Sequence, residues 1–307
     1  MLQTLISFFM SIVAFFMSLF GFGGTADPEP TPTPVTDPDP VVYVSENTLA
    51  YGTDANQTLD LFFPAGKTGD VGLILFIHGG AWVTGSKESY TIEALQWQAR
   101  GFVTASMNYR YLGNGVLPSD ELSDITAALR AIKTAAAQKG VTVNRAVLVG
   151  SSSGGHLALL YAYTKQSEAP VAPVAVISSS APTDFTDPAF IRSGAGELLA
   201  GTIGVSTDTL AALMESGIAQ AFVPALTDLS PAKQVKSSTV PTLFAHGAQD
   251  TIVPYSNAVS LDTALTGAGV QHDFVPFPNS GHALLNDPDC TLRFQALTAQ
   301  YIAAYLD

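Results

Sequence analysis

Short apolar runs recur along the chain from residue 71 onwards, and segments of helical pattern lie between them. The first run, at 71–77, is almost continuously apolar, which is the pattern of a strand buried on both faces of a sheet. Strands are predicted there and at 102–107, 146–149, 174–177, 242–245 and 274–277, and helices at 89–100, 119–139, 155–165, 255–266 and 290–306. This alternation predicts an α/β fold with a doubly wound, mostly parallel sheet.

The start of the globular region has the pattern of an antiparallel hairpin. Residues 41–44 and 59–63 read as short strands, and Gly52 and Pro64-Ala65-Gly66 supply turn signals around them. We therefore expect an antiparallel N-terminal hairpin before the first parallel strand, and a single globular domain over residues 41–307.

The first 26 residues have the composition of a targeting segment. Residues 2–24 are almost wholly apolar and carry no charged side chain, and Gly24-Thr25-Ala26 supplies the small residues that a signal peptidase prefers. The pattern predicts a signal peptide cleaved after Ala26 or, since the run is long enough to span a bilayer, an uncleaved anchor that tethers the protein through residues 1–24. A misread apolar extension is the third alternative. A signal peptide or an anchor would make the protein secreted or cell-surface.

Residues 27–40 are rich in Pro, Thr and Asp. Prolines fix φ and remove backbone donors, so this tract is predicted to be an extended linker between the N-terminal segment and the domain.

Composition and charge limit the kinds of partner and the kinds of site that the chain is expected to have. The 307 residues, 47% of them hydrophobic, suffice for one large core, and a formal net charge of −13 disfavours a nucleic-acid partner. The single cysteine, Cys290, excludes an intrachain disulfide and a Cys-based zinc site. No metal, flavin or nucleotide motif is present, so no cofactor is predicted.

The sequence Gly150-Ser151-Ser152-Ser153-Gly154 lies between a predicted strand and a predicted helix. It fits the G-x-S-x-G pattern, in which a sharp strand-to-helix turn exposes the central serine. Glycines suit the flanking positions because side chains there would crowd the neighbouring strand and helix. Ser152 is therefore the candidate nucleophile.

A serine nucleophile needs a base, and the base needs a carboxylate that orients it. His282 follows the last predicted strand in a Gly-containing loop, and Asp250 follows the strand at 242–245 after a turn. They are the candidate base and acid, in the chain order Ser, Asp, His. The rival acids fit surface or helix-start positions better; they are Asp262, Asp273, Asp287 and Asp289.

The sequence His78-Gly79-Gly80-Ala81-Trp82 directly follows the first buried strand. Glycines there allow backbone N–H groups to point at a substrate oxygen. The N–H groups of Gly80 and Ala81, with that of Ser153 after the nucleophile, are the candidate oxyanion hole. Trp82 is expected to pack beside the site.

In this order the motifs resemble those of the α/β-hydrolase superfamily. The chain is most similar to the esterase and lipase branch with an H-G-G motif, near the hormone-sensitive-lipase-like and bacterial feruloyl- and acetyl-esterase-like groups, over residues 45–307. Ala81 stands where many of these esterases have a third glycine. Because its backbone donor survives, we expect the change to affect the shape of the acyl pocket more than activity.

Residues 182–235 are longer than a simple crossover between strands. The resemblance implies a small cap over the pocket, although the same apolar residues would also serve to bury a crossover helix. The residues concerned are Phe185, Phe190, Leu198, Leu199, Met214 and Phe222.

The resemblance implies a serine carboxylesterase that hydrolyses short-chain acyl esters, with a small-molecule or polysaccharide-linked ester as substrate. The same triad serves amides, so a serine amidase or peptidase of the arylformamidase-like kind is an alternative. A non-catalytic binding domain on a hydrolase scaffold is less favoured, because nucleophile, acid and base are all present.

Overall fold

A twisted eight-stranded sheet forms the centre of the computed structural model, which describes residues 47–113, 115–196 and 223–307. Its strands lie in the order β1-β2-β5-β4-β7-β8-β9-β10, and a separate two-stranded sheet pairs β3 with β6. The strands are β1 (Thr48–Ala50), β2 (Thr58–Phe62), β3 (Gly69–Asp70), β4 (Leu73–Ile77), β5 (Val103–Met107), β6 (Val141–Thr142), β7 (Arg145–Ser151), β8 (Ala172–Ser179), β9 (Thr242–Gly247) and β10 (His272–Phe277).

Helices connect and cover the strands. A short 3-10 helix, Lys87–Tyr90, leads into the first α-helix. The α-helices of the described segments are α1 (Thr91–Ala99), α2 (Pro118–Gln138), α3 (Ser153–Thr164), α4 (Pro188–Ile191), α5 (Val223–Asp228), α6 (Pro231–Gln234), α7 (Tyr255–Gly267) and α8 (Pro288–Leu306).

The strand pairing confirms the predicted fold class. The strands from β5 to β10 in the sheet order pair in parallel, whereas β1 with β2 and β2 with β5 pair antiparallel. Strand β4 shows why its apolar run is continuous: Leu73, Leu75 and Ile77 belong to the core cluster on one face, while Ile74 and Phe76 belong to the cluster on the other.

The antiparallel hairpin is present, but its first strand is Thr48–Ala50. A turn at Asp54 to Gln57, with a 2.9 Å hydrogen bond from the Gln57 N–H to the Asp54 carbonyl, brings the segment just before it against β2. The predicted strand at 41–44 lies outside the described residues. The strand Thr48–Ala50 is a three-residue edge strand, too short for a pattern of apolar and polar positions to mark it in the sequence.

The expectations for residues 1–40 also fall outside the part of the chain that the structure describes, and they remain predictions. Within the ranges that it does describe, no helix has both the length and the hydrophobicity to cross a membrane.

The topology brings the candidate residues to one edge of the sheet. Strands β4, β7 and β9 end at Ile77, Ser151 and Gly247. The residues after them are the H-G-G segment that begins at His78, Ser152 and the turn that carries Asp250. Parallel strands share the edge at which they end, which is the usual place for a site in such a sheet.

Candidate active site

Ser152 occupies the sharp turn between β7 and α3. Its backbone has φ 51° and ψ −125°, a left-handed conformation that costs a non-glycine residue roughly 1–3 kcal/mol. Gly150 and Gly154 make the turn sterically feasible. A Cβ at Gly150 would overlap the Gly154 carbonyl, and one at Gly154 would overlap the carbonyls of Ile77 and His78.

Two hydrogen bonds link Ser152, His282 and Asp250 in that order. The Nε2 atom of His282 lies 3.0 Å from the Ser152 Oγ, and its Nδ1 lies 2.7 Å from the Asp250 Oδ2. Because a carboxylate only accepts, Nδ1 carries the ring hydrogen and Nε2 is left to accept the serine proton. The structure thus brings together the three residues that the sequence singled out.

Asp250 is fully buried at its side chain and held by several N–H groups. Its Oδ1 accepts from the backbone N–H groups of Ile252 and Val253, both at 2.9 Å. Burial alone would raise the pKa of Asp250, but hydrogen bonds from His246 and His282 outweigh it and hold that pKa well below its usual range. The carboxylate is therefore ionised whenever the site operates near neutrality.

The loop that carries His282 is fixed at several points. The Ser180 hydroxyl donates to the His282 carbonyl at 2.8 Å, and the Gln249 N–H donates to the Ser280 carbonyl at 3.0 Å. Ser280 in turn donates to Asp287 at 2.6 Å. Hydrogen bonds to the backbone of this loop therefore fix the position of His282, in addition to the two hydrogen bonds made by its ring.

The three consecutive serines have different surroundings. Only the Ser152 hydroxyl lies at hydrogen-bond distance from His282. The Ser151 side chain is hydrogen-bonded with Tyr90, and the Ser153 Oγ is 3.4 Å from the Tyr109 hydroxyl. The alternation of side chains through the turn therefore selects Ser152 as the residue facing the base.

The loop His78-Gly79-Gly80-Ala81-Trp82 is tight and lies against Ser152. A Cβ at Gly79 would lie 3.3 Å from the Ser152 Cβ, and the next three residues, Gly80, Ala81 and Trp82, have φ of 129°, 53° and 63°. Within the described segments, the N–H groups of Gly80, Ala81 and Ser153 have no hydrogen-bond acceptor. They are therefore the candidate donors to a substrate oxygen.

Two buried histidines support this loop. His78 Nδ1 is 2.7 Å from the Gly79 carbonyl, and its ring stacks on Tyr109 with centroids 4.5 Å apart. His156 Nδ1 accepts from the Trp82 indole at 3.1 Å, and its Nε2 is 2.9 Å from the Leu229 carbonyl. Burial lowers the pKa of both histidines to about 4, so both rings are neutral near pH 7.

The other predicted positions have plainer explanations. Asp262 contacts His272, Asp273 accepts from Tyr301, and Asp287 and Asp289 lie at the start of α8. Phe185 and Phe190 pack in the core with their rings 4.9 Å apart, and Phe185 contacts Trp82. Four predicted cap residues lie outside the described residues, so the cap remains a prediction; they are Leu198, Leu199, Met214 and Phe222.

No group of three or more His, Cys, Asp or Glu side chains in the described ranges is placed to hold a metal ion.

Sequence reasoning gave no role to His246, His156 or Tyr109. His246 lies four residues before Asp250, and this spacing at the end of one strand could have indicated a contact between them. His156 and Tyr109 act through partners far away in the chain, which no local pattern shows.

The family model described as BD-FAE matches residues 59–265, more than half of the chain. Among curated proteins, the chain is 26% identical over 254 residues to the probable isoprenylcysteine alpha-carbonyl methylesterase ICMEL1 of Oryza sativa subsp. japonica, covering 78% of this chain and 58% of that protein. It is 25% identical over 249 residues to esterase LipC of Mycobacterium tuberculosis, covering 78% and 60%. The chain thus spans less than two thirds of the length of these curated relatives.

Solved structures share the fold. Esterase 2 of Thermogutta terrifontis, phosphonylated by sarin, has a TM-score of 0.66 at 21% identity and covers 84% of this chain and 94% of its own. A truncated carbohydrate esterase from gut microbiota has a TM-score of 0.63 at 20% identity and covers 82% and 95%.

Proposed function

Since the chain belongs to the BD-FAE family of α/β-hydrolases, we propose that it is a serine carboxylesterase that hydrolyses short-chain acyl esters. The observation that carries this proposal is the pair of hydrogen bonds made by His282. Its Nε2 lies 3.0 Å from the Ser152 Oγ, and its Nδ1 lies 2.7 Å from the Asp250 Oδ2. The N–H groups of Gly80, Ala81 and Ser153, which have no acceptor among the described residues, are the proposed donors to the oxyanion.

In the first half of the reaction, the Ser152 Oγ attacks the ester carbonyl while His282 Nε2 takes its proton. The carbonyl oxygen becomes an oxyanion and accepts hydrogen bonds from Gly80, Ala81 and Ser153. Asp250 keeps the imidazole oriented and stabilises it while it is charged. His282 then gives the proton to the leaving alkoxide, so an alcohol departs and an acyl-serine remains.

The second half repeats these steps with water. His282 takes a proton from a water molecule whose oxygen attacks the acyl-serine carbonyl, and the same N–H groups stabilise the second oxyanion. The Ser152 oxygen leaves with the proton returned by His282. A carboxylic acid is released, and the enzyme is restored with no cofactor.

The preference for small groups is supported by what similar proteins are called. A protein of the same fold is titled a carbohydrate esterase, and a structure of the T. terrifontis esterase is described as propionate-bound. Acetyl and other short acyl groups on small molecules or on polysaccharides are therefore the proposed substrates.

We also propose that the enzyme works outside the cytoplasm, either secreted or tethered through residues 1–24. The apolar run at 2–24 and the Pro-rich linker after it support this location. The N-terminal sequence of the protein isolated from its natural source tests the two forms: a chain starting at Asp27 indicates cleavage, and one that keeps residues 1–26 indicates an anchor. A full-length chain in the soluble cytoplasmic fraction would contradict both.

Hydrolysis of p-nitrophenyl esters from acetate to palmitate tests the proposed activity, with Ser152→Ala measured beside the natural chain. We expect the highest kcat/KM with the shortest esters and its loss in the variant. If the folded protein cleaves none of the series, the proposal fails. Formyl-amide and peptide substrates then test the amidase alternative.

A further inference from the structure

A second histidine lies against the candidate triad acid. His246 is in β9, four residues before Asp250, and its side chain is only 2% exposed. Its Nε2 atom is 3.3 Å from the Asp250 Oδ2 and 2.9 Å from the Val253 carbonyl oxygen. The proton transfers between Ser152 and His282 do not involve this ring, so its place in the site calls for a separate explanation.

The neighbours of the His246 Nε2 atom determine which nitrogen carries the hydrogen. A carboxylate oxygen and a backbone carbonyl both accept and neither donates. Nε2 therefore bears the N–H, which it donates to the Val253 carbonyl while the Asp250 Oδ2 lies 3.3 Å away. The neutral imidazole is sufficient for this, so the contact does not require a charged His246.

This N–H lies beside the other donors that surround the Asp250 carboxylate. Oδ1 accepts from the backbone of Ile252 and Val253, Oδ2 accepts from His282, and the His246 Nε2 lies 3.3 Å from the same Oδ2. A carboxylate held by donors at both oxygens cannot rotate freely about its Cβ–Cγ bond. His246 also holds the Val253 carbonyl, and Val253 belongs to the turn that supplies the two backbone donors. One ring thus braces both the carboxylate and the turn around it.

We propose that His246 is a positioning residue of the triad: its Nε2–H fixes the Asp250 Oδ2 in the orientation that receives the Nδ1–H of His282. This role rests on the proposed esterase function, because it acts through the base of that reaction. A purely packing role would need only a ring of this size. The placement of a donor on the same oxygen that His282 uses is what favours a positioning role.

Side-chain replacements at His246 separate the two roles. His246→Leu removes the donor and keeps an apolar side chain, whereas His246→Gln keeps an amide N–H of similar reach. His246→Asn also keeps an amide but is one methylene shorter, so it loses the contact without placing an apolar group there. We expect kcat for p-nitrophenyl acetate to fall roughly 10- to 100-fold in the Leu and Asn variants, with KM within about twofold, and to recover largely in the Gln variant.

His272 provides the matched control. It also lies beside a carboxylate, with its Nε2 3.2 Å from Asp262, but that pair is remote from the triad. His272→Leu and His272→Gln are therefore expected to leave kcat and KM near those of the natural chain.

A spectroscopic measurement tests the proposal without substrate. The Nδ1–H of His282, donated to a carboxylate at 2.7 Å, should give a strongly low-field proton resonance. We expect this resonance to move or broaden in His246→Leu and His246→Asn and to return in His246→Gln. If the protein cleaved no ester but the resonance behaved in this way, the proposed function would fail while the positioning role stood.

Two results would overturn the proposal. One is a folded Leu or Asn variant with unchanged kcat and an unchanged resonance. The other is a loss of kcat that Gln does not recover, with the resonance unchanged in every variant, since that pattern indicates packing alone.

Discussion

The backbone at Gly247 lies directly against the backbone at Gly281, so that a Cβ added at Gly247 would overlap the Gly281 carbonyl oxygen. Gly247 ends the strand that leads to Asp250, and Gly281 immediately precedes His282. The acid and the base are thus held in register by a close approach of their two loops. The hydrogen bond between the side chains of Asp250 and His282 adds to this backbone contact.

Gly247→Ala is expected to separate the two loops. Overpacking of this kind costs about 1–3 kcal/mol of unfolding free energy, and the acid and base should also lose their alignment. We expect lower stability in chemical denaturation together with a fall in kcat. Gly267→Ala is the control, because a Cβ there has open space and alanine is the better helix former at the end of α7. A Gly247→Ala protein with natural stability and kcat would contradict the proposed contact.

Alanine replacements across the serine turn should give three different results. Ser152→Ala removes the nucleophile, and kcat should fall by roughly 10⁴- to 10⁶-fold. Ser151→Ala and Ser153→Ala remove hydroxyls that face Tyr90 and Tyr109, so they should retain activity within about tenfold of the natural chain. Steady-state kinetics on the three variants checks this order. Loss of turnover in Ser151→Ala with activity retained in Ser152→Ala would mean that the turn is misassigned.

Much of this site is readable from the sequence because its motifs are local. The G-x-S-x-G turn, the H-G-G loop and the loops of Asp250 and His282 each follow an apolar strand, and parallel strands bring such loops to one edge. The sequence gives no indication of roles for His246, His156 and Tyr109, because the contacts of these residues form only when the chain folds. Tyr109, for example, donates to the His78 carbonyl across 31 residues.

The predicted bounds of the strands are accurate only where the strand itself is buried. Buried strands such as β4 and β9 were predicted to within about two residues, because burial on both faces demands an apolar run. The edge strand Thr48–Ala50 has an exposed, intermediate, exposed pattern, and its place is decided by pairing with β2 and not by its own composition.

Asp250→Asn is expected to lower kcat by roughly 10³- to 10⁴-fold, because an amide does not hold His282 in the required tautomer. It should also change the pH dependence of stability. A carboxylate whose pKa is lowered on folding stabilises the native state above its unfolded pKa of about 3.9, and this contribution is lost as the pH falls further.

The stability of the natural chain relative to Asp250→Asn should therefore be largest near neutrality and should shrink below about pH 4. Denaturation curves at several pH values measure this difference. A constant difference over the whole range would show that Asp250 is not held as a stabilised carboxylate.

Glu121 gives a pH effect of the opposite sign. Its side chain is fully buried in α2, neither carboxyl oxygen has a partner among the described residues, and burial with the nearby charges of Asp124 and Asp120 raises its pKa to about 9. The native state therefore keeps Glu121 protonated at pH values where the unfolded chain ionises it. Stability is lost as the pH rises from the unfolded pKa through the folded one.

Glu121→Gln removes this titration. The natural chain should lose about 4 kcal/mol relative to the variant between about pH 5 and about pH 8, because each pH unit between the two pKa values costs about 1.4 kcal/mol. Denaturation of both proteins at matched pH values measures the change. A pH-independent difference would place an ionised carboxylate at this position and contradict the buried, protonated group.

The most direct test of the central claim is covalent labelling of the nucleophile. The protein is incubated with a p-nitrophenyl alkylphosphonate, which mimics the tetrahedral stage of ester hydrolysis, and the labelled peptide is located by mass spectrometry. The account predicts one phosphonyl group per chain on Ser152, release of p-nitrophenol in the same amount, and no label in Ser152→Ala. Label on Ser151 or Ser153, or no label on a folded chain, would contradict it.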